Sequence, residues 1–115
     1  MNVSTTRTGD VVVLHVEEVR LTYPILADFA GATSDLINRG ERRIVLHLGA
    51  VTYVDSATIG CLMDLYRQAT AAGGQLKLAG VQKRVDTMLS MTGAHHFLEV
   101  YPDEATALAS FGARS

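Results

Sequence analysis

The sequence predicts one α/β domain in which a mixed, mostly parallel sheet is packed with helices in the order ββαβαβαβα. Three observations lead to that expectation. Runs such as Val11-Val12-Val13-Leu14-His15-Val16 and Ile44-Val45-Leu46-His47-Leu48 are short and mostly apolar, as strands buried in a core are. Amphipathic stretches at helical spacing alternate with them, the clearest being Ile59, Leu62, Met63, Tyr66 and Ala69. The connections between the two kinds of run are short throughout. Repeated strand–helix units then imply crossovers and parallel strand pairs, and a leading hairpin adds an antiparallel edge.

The elements follow in chain order. Asn2 to Arg7 alternates weakly as an edge strand, and Thr8-Gly9-Asp10 supplies the turn into the Val11 run. Pro24 suits the first turn of a helix whose apolar face is Ile25, Leu26, Phe29, Ala32, Leu36 and Ile37, with Gly40 as its left-handed stop. The central strand over residues 44–48 gives way to a second helix that ends near Gly73-Gly74. Gln75 to Gly80 alternates as a strand. Val81, Val85, Met88 and Leu89 form a third helical face, stopped by Gly93. Phe97-Leu98-Glu99-Val100 reads as a last short strand, and Pro102-Asp103-Glu104 opens a final helix with contacts at Ala105, Leu108 and Phe111. Residues 1–111 make up the domain, and residues 112–115 read as a loose tail.

Composition narrows the function. At 115 residues, 48% of them hydrophobic, the chain supports one core rather than two. A formal net charge of −2 with no basic stripe argues against nucleic acid, whose phosphates require clustered Lys and Arg. One cysteine, Cys61, permits no internal disulfide and fits a reducing compartment. The first residues lack a signal-peptide pattern, and no apolar run reaches membrane-spanning length. A soluble, cytoplasmic protein without membrane insertion is expected.

Catalytic and cofactor signatures are weak. Val54-Asp55-Ser56-Ala57-Thr58 is not a nucleophile elbow, and no motif places a histidine as base for Ser56. His15 and His47 fall within strands, and the neighbours His95 and His96 would diverge in regular structure. One cysteine and four scattered histidines give no metal-ligand spacing. There is no Walker A loop and no Gly-x-Gly-x-x-Gly after a strand, so no cofactor is expected. Cys61 carries no local mark of a reactive thiol.

The informative stretch is Asp55-Ser56-Ala57-Thr58-Ile59-Gly60, which joins the central strand to the second helix. Asp and Ser before an apolar helical run act most simply as an N-cap. A serine there lies at the positive end of a helix, where added negative charge is tolerated. The hexapeptide also resembles the Asp-Ser-x-Gly-(Ile/Leu)-Gly segment of anti-sigma factor antagonists, the stand-alone STAS domains. Gly73-Gly74-x-Leu76-x-Leu78 and Met91-Thr92-Gly93 extend that resemblance, which runs over nearly the whole chain.

The resemblance implies a phosphorylation-controlled switch. In that family the serine after the aspartate is phosphorylated. The unphosphorylated domain binds an anti-sigma factor that is also a serine kinase, which frees a sigma factor. The kinase inactivates the domain by phosphorylating it, and a PP2C-type serine phosphatase restores the unphosphorylated form. Carried onto this chain, Ser56 is the acceptor and Thr58 a second candidate; Asp55, Ser56, Ala57, Thr58, Ile59 and Gly60 form the partner-binding surface. The chain departs from the family at Val16-Glu17-Glu18-Val19-Arg20, where many relatives carry a Gly-Glu-Leu-Asp-like segment, and at Thr58, where glycine is common. The alternative is a STAS scaffold that is never phosphorylated, such as a subunit of a lipid-transport ABC complex.

Overall fold

The computed structural model describes residues 1–112; the segment from 113 to 115, which holds most of the expected tail, lies outside the described residues. β1 (Val3–Thr8) and β2 (Val11–Val16) form the expected antiparallel hairpin. β2 then pairs in parallel with β4 (Arg43–His47), β4 with β6 (Gln75–Ala79), and β6 with β7 (Glu99–Tyr101). The sheet order is therefore β1-β2-β4-β6-β7. Each parallel step is bridged by a helix: α1 (Tyr23–Asn38), α2 (Ser56–Ala71) and α3 (Lys83–Thr92).

Alternation along the strands explains the two layers. Val12, Leu14 and Val16 of β2, with Ile44 and Leu46 of β4, face α1, α2 and α3 in one large core. Val11, Val13, Val45 and Ala79 face the other way, against Ala107 and Phe111 at the C-terminal end. That side is covered by α4 (Glu104–Ala109). Burial on both faces is why these strands read as nearly continuous apolar runs.

α1 starts at Pro24's neighbour Tyr23 and closes as expected: Gly40, at φ +100°, donates to the Ile37 carbonyl, and Glu41 donates to Leu36. Several expectations shift. The last strand begins two residues later than the Phe97 run, because Ala94-His95-His96 makes a 3-10 turn first. In that turn the His95 and His96 rings lie 4.1 Å apart rather than diverging. Ala107, not Ala105, is the buried alanine of α4. Polar residues also belong to the interior, Thr33 and Lys77 among them. Thr33 returns its hydroxyl to the Phe29 carbonyl (3.1 Å), and Lys77 reaches Ser110 Oγ (2.9 Å) with its ammonium 4.2 Å from the Phe111 ring centre.

Two further strands were not expected. β3 (Arg20–Leu21) and β5 (Tyr53–Val54) form a two-residue parallel pair of their own. This small sheet ties the end of the β2 strand's exit loop to the segment that enters α2.

Candidate functional site

Ser56 is the first residue of α2, and Asp55 is its N-cap in extended conformation (φ −110°, ψ 178°). One carboxylate oxygen, Oδ1, accepts from the Thr58 backbone N–H (3.0 Å) and lies 2.8 Å from the Thr58 hydroxyl. The other, Oδ2, accepts from the backbone N–H of Tyr23, the first residue of α1 (3.0 Å). A single aspartate thus caps two helices at once. The Tyr23 N–H, reinforced by the Thr58 donors, holds the Asp55 carboxyl below the usual carboxylate range, so it is a fixed negative charge at neutral pH.

Thr58 completes the junction. Its hydroxyl sits 2.6 Å from the carbonyl of Leu21 at the end of β3, and its one proton is shared between that carbonyl and Asp55. β3, α1 and α2 therefore meet on two side chains. From the β3 side, the Val19 carbonyl accepts from Thr52 N–H (2.8 Å), and the Arg20 guanidinium lies 4.3 Å from the Tyr53 ring centre.

Not all of the expected surface is surface. Ser56, Ala57 and Gly60 are exposed and Asp55 is half-buried. Thr58 and Ile59 point into the core, at 0% and 5% exposure. The expectation that Thr58 offers a second acceptor hydroxyl, and that Thr58 and Ile59 lie in the docking face, meets buried side chains in this conformation. The helical repeat is the reason: positions three and four after Asp55 turn inward, while Ser56, Ala57 and Gly60 share the outer side.

Two exposed apolar residues on the segments bonded to the entry of α2 were not foreseen: Val19 at 61%, whose carbonyl accepts from Thr52, and Tyr23 at 74%, whose N–H donates to Asp55. No periodic signal marks them, since one lies in a loop and the other opens a helix. The segment 16–20, where the chain departs from the family pattern, is hydrogen-bonded to the entry of α2 through Val19.

The remaining chemistry lies elsewhere. His15 and His47 stand side by side on β2 and β4, ring centres 5.2 Å apart, with His15 Nε2 3.1 Å from Thr6 Oγ1. Among the described residues no group of three or more His, Cys, Asp or Glu is arranged to hold a metal ion. The Cys61 thiol is half-buried, and burial together with nearby Asp64 pushes its pKa up, away from a reactive thiolate. No described helix is long and apolar enough to cross a membrane.

Comparison with known proteins bears on the fold and the family. A relative from Thermotoga neapolitana, provisionally named an anti-sigma factor antagonist homologue, is 27% identical over 74 residues, 64% of this chain and 66% of that protein. The anti-sigma F factor antagonist of Paenibacillus polymyxa is 29% identical over 65 residues, 56% of each. The aligned stretch thus spans less than two thirds of either relative. Among solved structures, an anti-sigma factor antagonist from Mycobacterium paratuberculosis superposes with a TM-score of 0.85 at 16% identity, covering 95% of this chain and 92% of that one. The phosphorylated form of SpoIIAA from Bacillus gives 0.72 at 16% identity, covering 96% and 100%. Likeness at that identity speaks for the fold. The STAS domain model itself matches residues 2–107, and the chain belongs to the STAS domain family.

Proposed function

We propose that this domain is an anti-sigma factor antagonist, a protein-binding switch in the cytoplasm set by phosphorylation of Ser56. The observation that carries the reading is the accessible Ser56 at the start of a helix whose cap is already supplied by Asp55. A phosphoryl group added there displaces no contact that holds the fold together. It brings roughly −1.5 to −2 charges to a surface that already carries ionised Asp55. Unphosphorylated, the face made by Ser56, Ala57 and Gly60 docks on an anti-sigma factor with serine kinase activity; phosphorylated, it is released, and a PP2C-type serine phosphatase resets it. A loss of about 2.8 kcal/mol on phosphorylation changes the partner's Kd about 100-fold, enough for a switch. Thr58 acts as a brace rather than as an acceptor. The domain works by binding, not by turnover. Support comes from the exposed serine, the family and the names its relatives carry.

The test is peptide mass spectrometry on the protein recovered from its native cells, growing and stressed, joined to partner binding. One phosphoryl group on Ser56 that varies with condition is expected. Ser56→Ala is expected to bind the kinase constitutively and Ser56→Glu weakly. Equal affinity of the Ala, Glu and phosphorylated forms would sink the switch. An unmodified serine in every condition, with an ATPase subunit co-purifying, would move the protein to the scaffold role.

A further inference from the structure

A groove of about 610 Å³ runs between α1 and α2, beginning at Tyr23 and Ala57 beside the Ser56 turn. Leu26 and Leu65 form its buried floor. Ala27, Ala30 and Gly60 leave its walls low, and the Ser34–Gln68 hydrogen bond (3.0 Å) lies at the far end. Each bounding helix has 16 residues, about 24 Å of length, so a partner helix of four to five turns would match it.

Gly60 shows that the domain has no internal use for this space. It sits within α2, where glycine costs about 0.5–1 kcal/mol relative to alanine, and its φ is not positive. A Cβ built there meets nothing within 4 Å. Nothing among the described residues demands the missing side chain, so the room it leaves is external.

Charge narrows the occupant. Asp64 is the one carboxylate lining the groove, its side chain 80% exposed, and no lysine or arginine lines it. Its bond to Arg67 (2.9 Å) is an exposed i,i+3 pair of little strength, readily exchanged for another cation. Asp55 adds negative charge at the mouth, through its bond to Tyr23.

We propose that the α1/α2 groove accepts an amphipathic helix of the partner protein, with an apolar ridge at i, i+3/i+4 and i+7 and a lysine or arginine that meets Asp64. This deepens the antagonist reading and rests on it for the partner's identity. Ser56 then controls the rim of a larger interface, whose affinity comes from the groove.

Cys61 lines the groove and is the chain's one cysteine, which makes it a reporter. The probe is a synthetic 16-residue amphipathic peptide with a Leu/Ala ridge and flanking lysines, titrated by anisotropy while Cys61 alkylation is timed. Saturable binding that slows alkylation at least about tenfold is expected. Gly60→Leu, which fills the groove, and Asp64→Lys should each weaken the peptide about tenfold, as should exchanging its lysines for glutamates. Asp86→Lys, exposed on α3, is the control and should leave it unchanged. Circular dichroism checks that each variant is folded. Absence of saturable binding, equal binding of the lysine and glutamate peptides, or an unaltered Cys61 rate at saturation would each overturn the proposal. So would protection of Cys61 by rising protein concentration alone, which would mean that a second copy fills the groove. Peptide binding without any phosphate on Ser56 in cells would retain the groove and remove the switch; the converse would do the reverse.

Discussion

Asp55 offers a prediction whose size follows from three contacts. Asp55→Asn keeps a carbonyl oxygen for Thr58 but turns an amide toward the Tyr23 N–H, so one charge-assisted bond is replaced by a donor facing a donor. At this half-exposed position the loss is about 1 kcal/mol. Asp55→Ala removes the α2 cap as well, about another 1 kcal/mol, for a total near 2 kcal/mol. In a domain of this size each kcal/mol lowers Tm by roughly 4 °C, so the asparagine variant should melt about 4 °C and the alanine variant about 8 °C below wild type. Urea unfolding with an unchanged m value, and calorimetry, read both numbers.

The pH dependence gives the same reasoning an independent check. Asp55 has its carboxyl pKa lowered in the fold, chiefly by the Tyr23 N–H, from an unfolded value of about 3.9. A depressed carboxyl binds fewer protons in the native state, so its stabilisation is fully present above the unfolded pKa and is lost as pH falls through the folded one. The gap between wild type and Asp55→Asn should therefore begin to narrow below about pH 4 and close as pH falls through the lowered folded value. An alanine variant within about 0.5 kcal/mol of wild type, or a wild-type–asparagine gap as large at pH 3 as at pH 7, would refute the double-cap account.

Thr58→Val should cost about 1–3 kcal/mol by leaving the buried Leu21 carbonyl without its donor, seen as a lower urea midpoint; an unchanged midpoint would remove Thr58 from the junction. Lys77→Met, which keeps the apolar stem, should stay within about 1 kcal/mol of wild type, whereas Lys77→Ala should destabilise further and speed amide exchange in α4. Glycine substitutions should have opposite signs at two positions. Gly74→Ala forces a Cβ to 2.8 Å from the Arg42 carbonyl oxygen and should destabilise by about 1–3 kcal/mol, while Gly60→Ala should stabilise by about 0.5–1 kcal/mol, both measured by denaturant titration.

Much of the fold was legible because the two periods differ so clearly. β2 was delimited to the residue by its valine-rich, mostly apolar run, and the start of α2 by its Asp-Ser pair. The misses have local causes. β3 and β5 are two residues each, too short for alternation to register, and they exist because tertiary pairing brings Arg20 beside Tyr53. Lys77 reads as the polar member of an alternating strand; only the packing of α4 over that sheet face buries it. Ser56 was singled out because capping chemistry and the family pattern coincide there, and it is the exposed first residue of α2. Val19 and Tyr23 were invisible because an exposed apolar residue has no pattern until its neighbours in space are known.

The same geometry divides one hexapeptide between holding the fold and facing solvent. With 3.6 residues per turn, Asp55, Thr58 and Ile59 take the inner side of the first turn, where they join β3, α1 and α2. Ser56, Ala57 and Gly60 take the outer side, and there a small side chain is cheaper for a partner's approach than for the helix. Stability is thus vested in residues other than the exposed Ser56, Ala57 and Gly60. Under the proposed switch, a phosphate on Ser56 would alter recognition without loosening the junction, and damage to Asp55 or Thr58 would alter the junction before it altered recognition. The two classes of variant should separate cleanly: unfolding midpoints move with one set, and partner affinity at constant midpoint moves with the other.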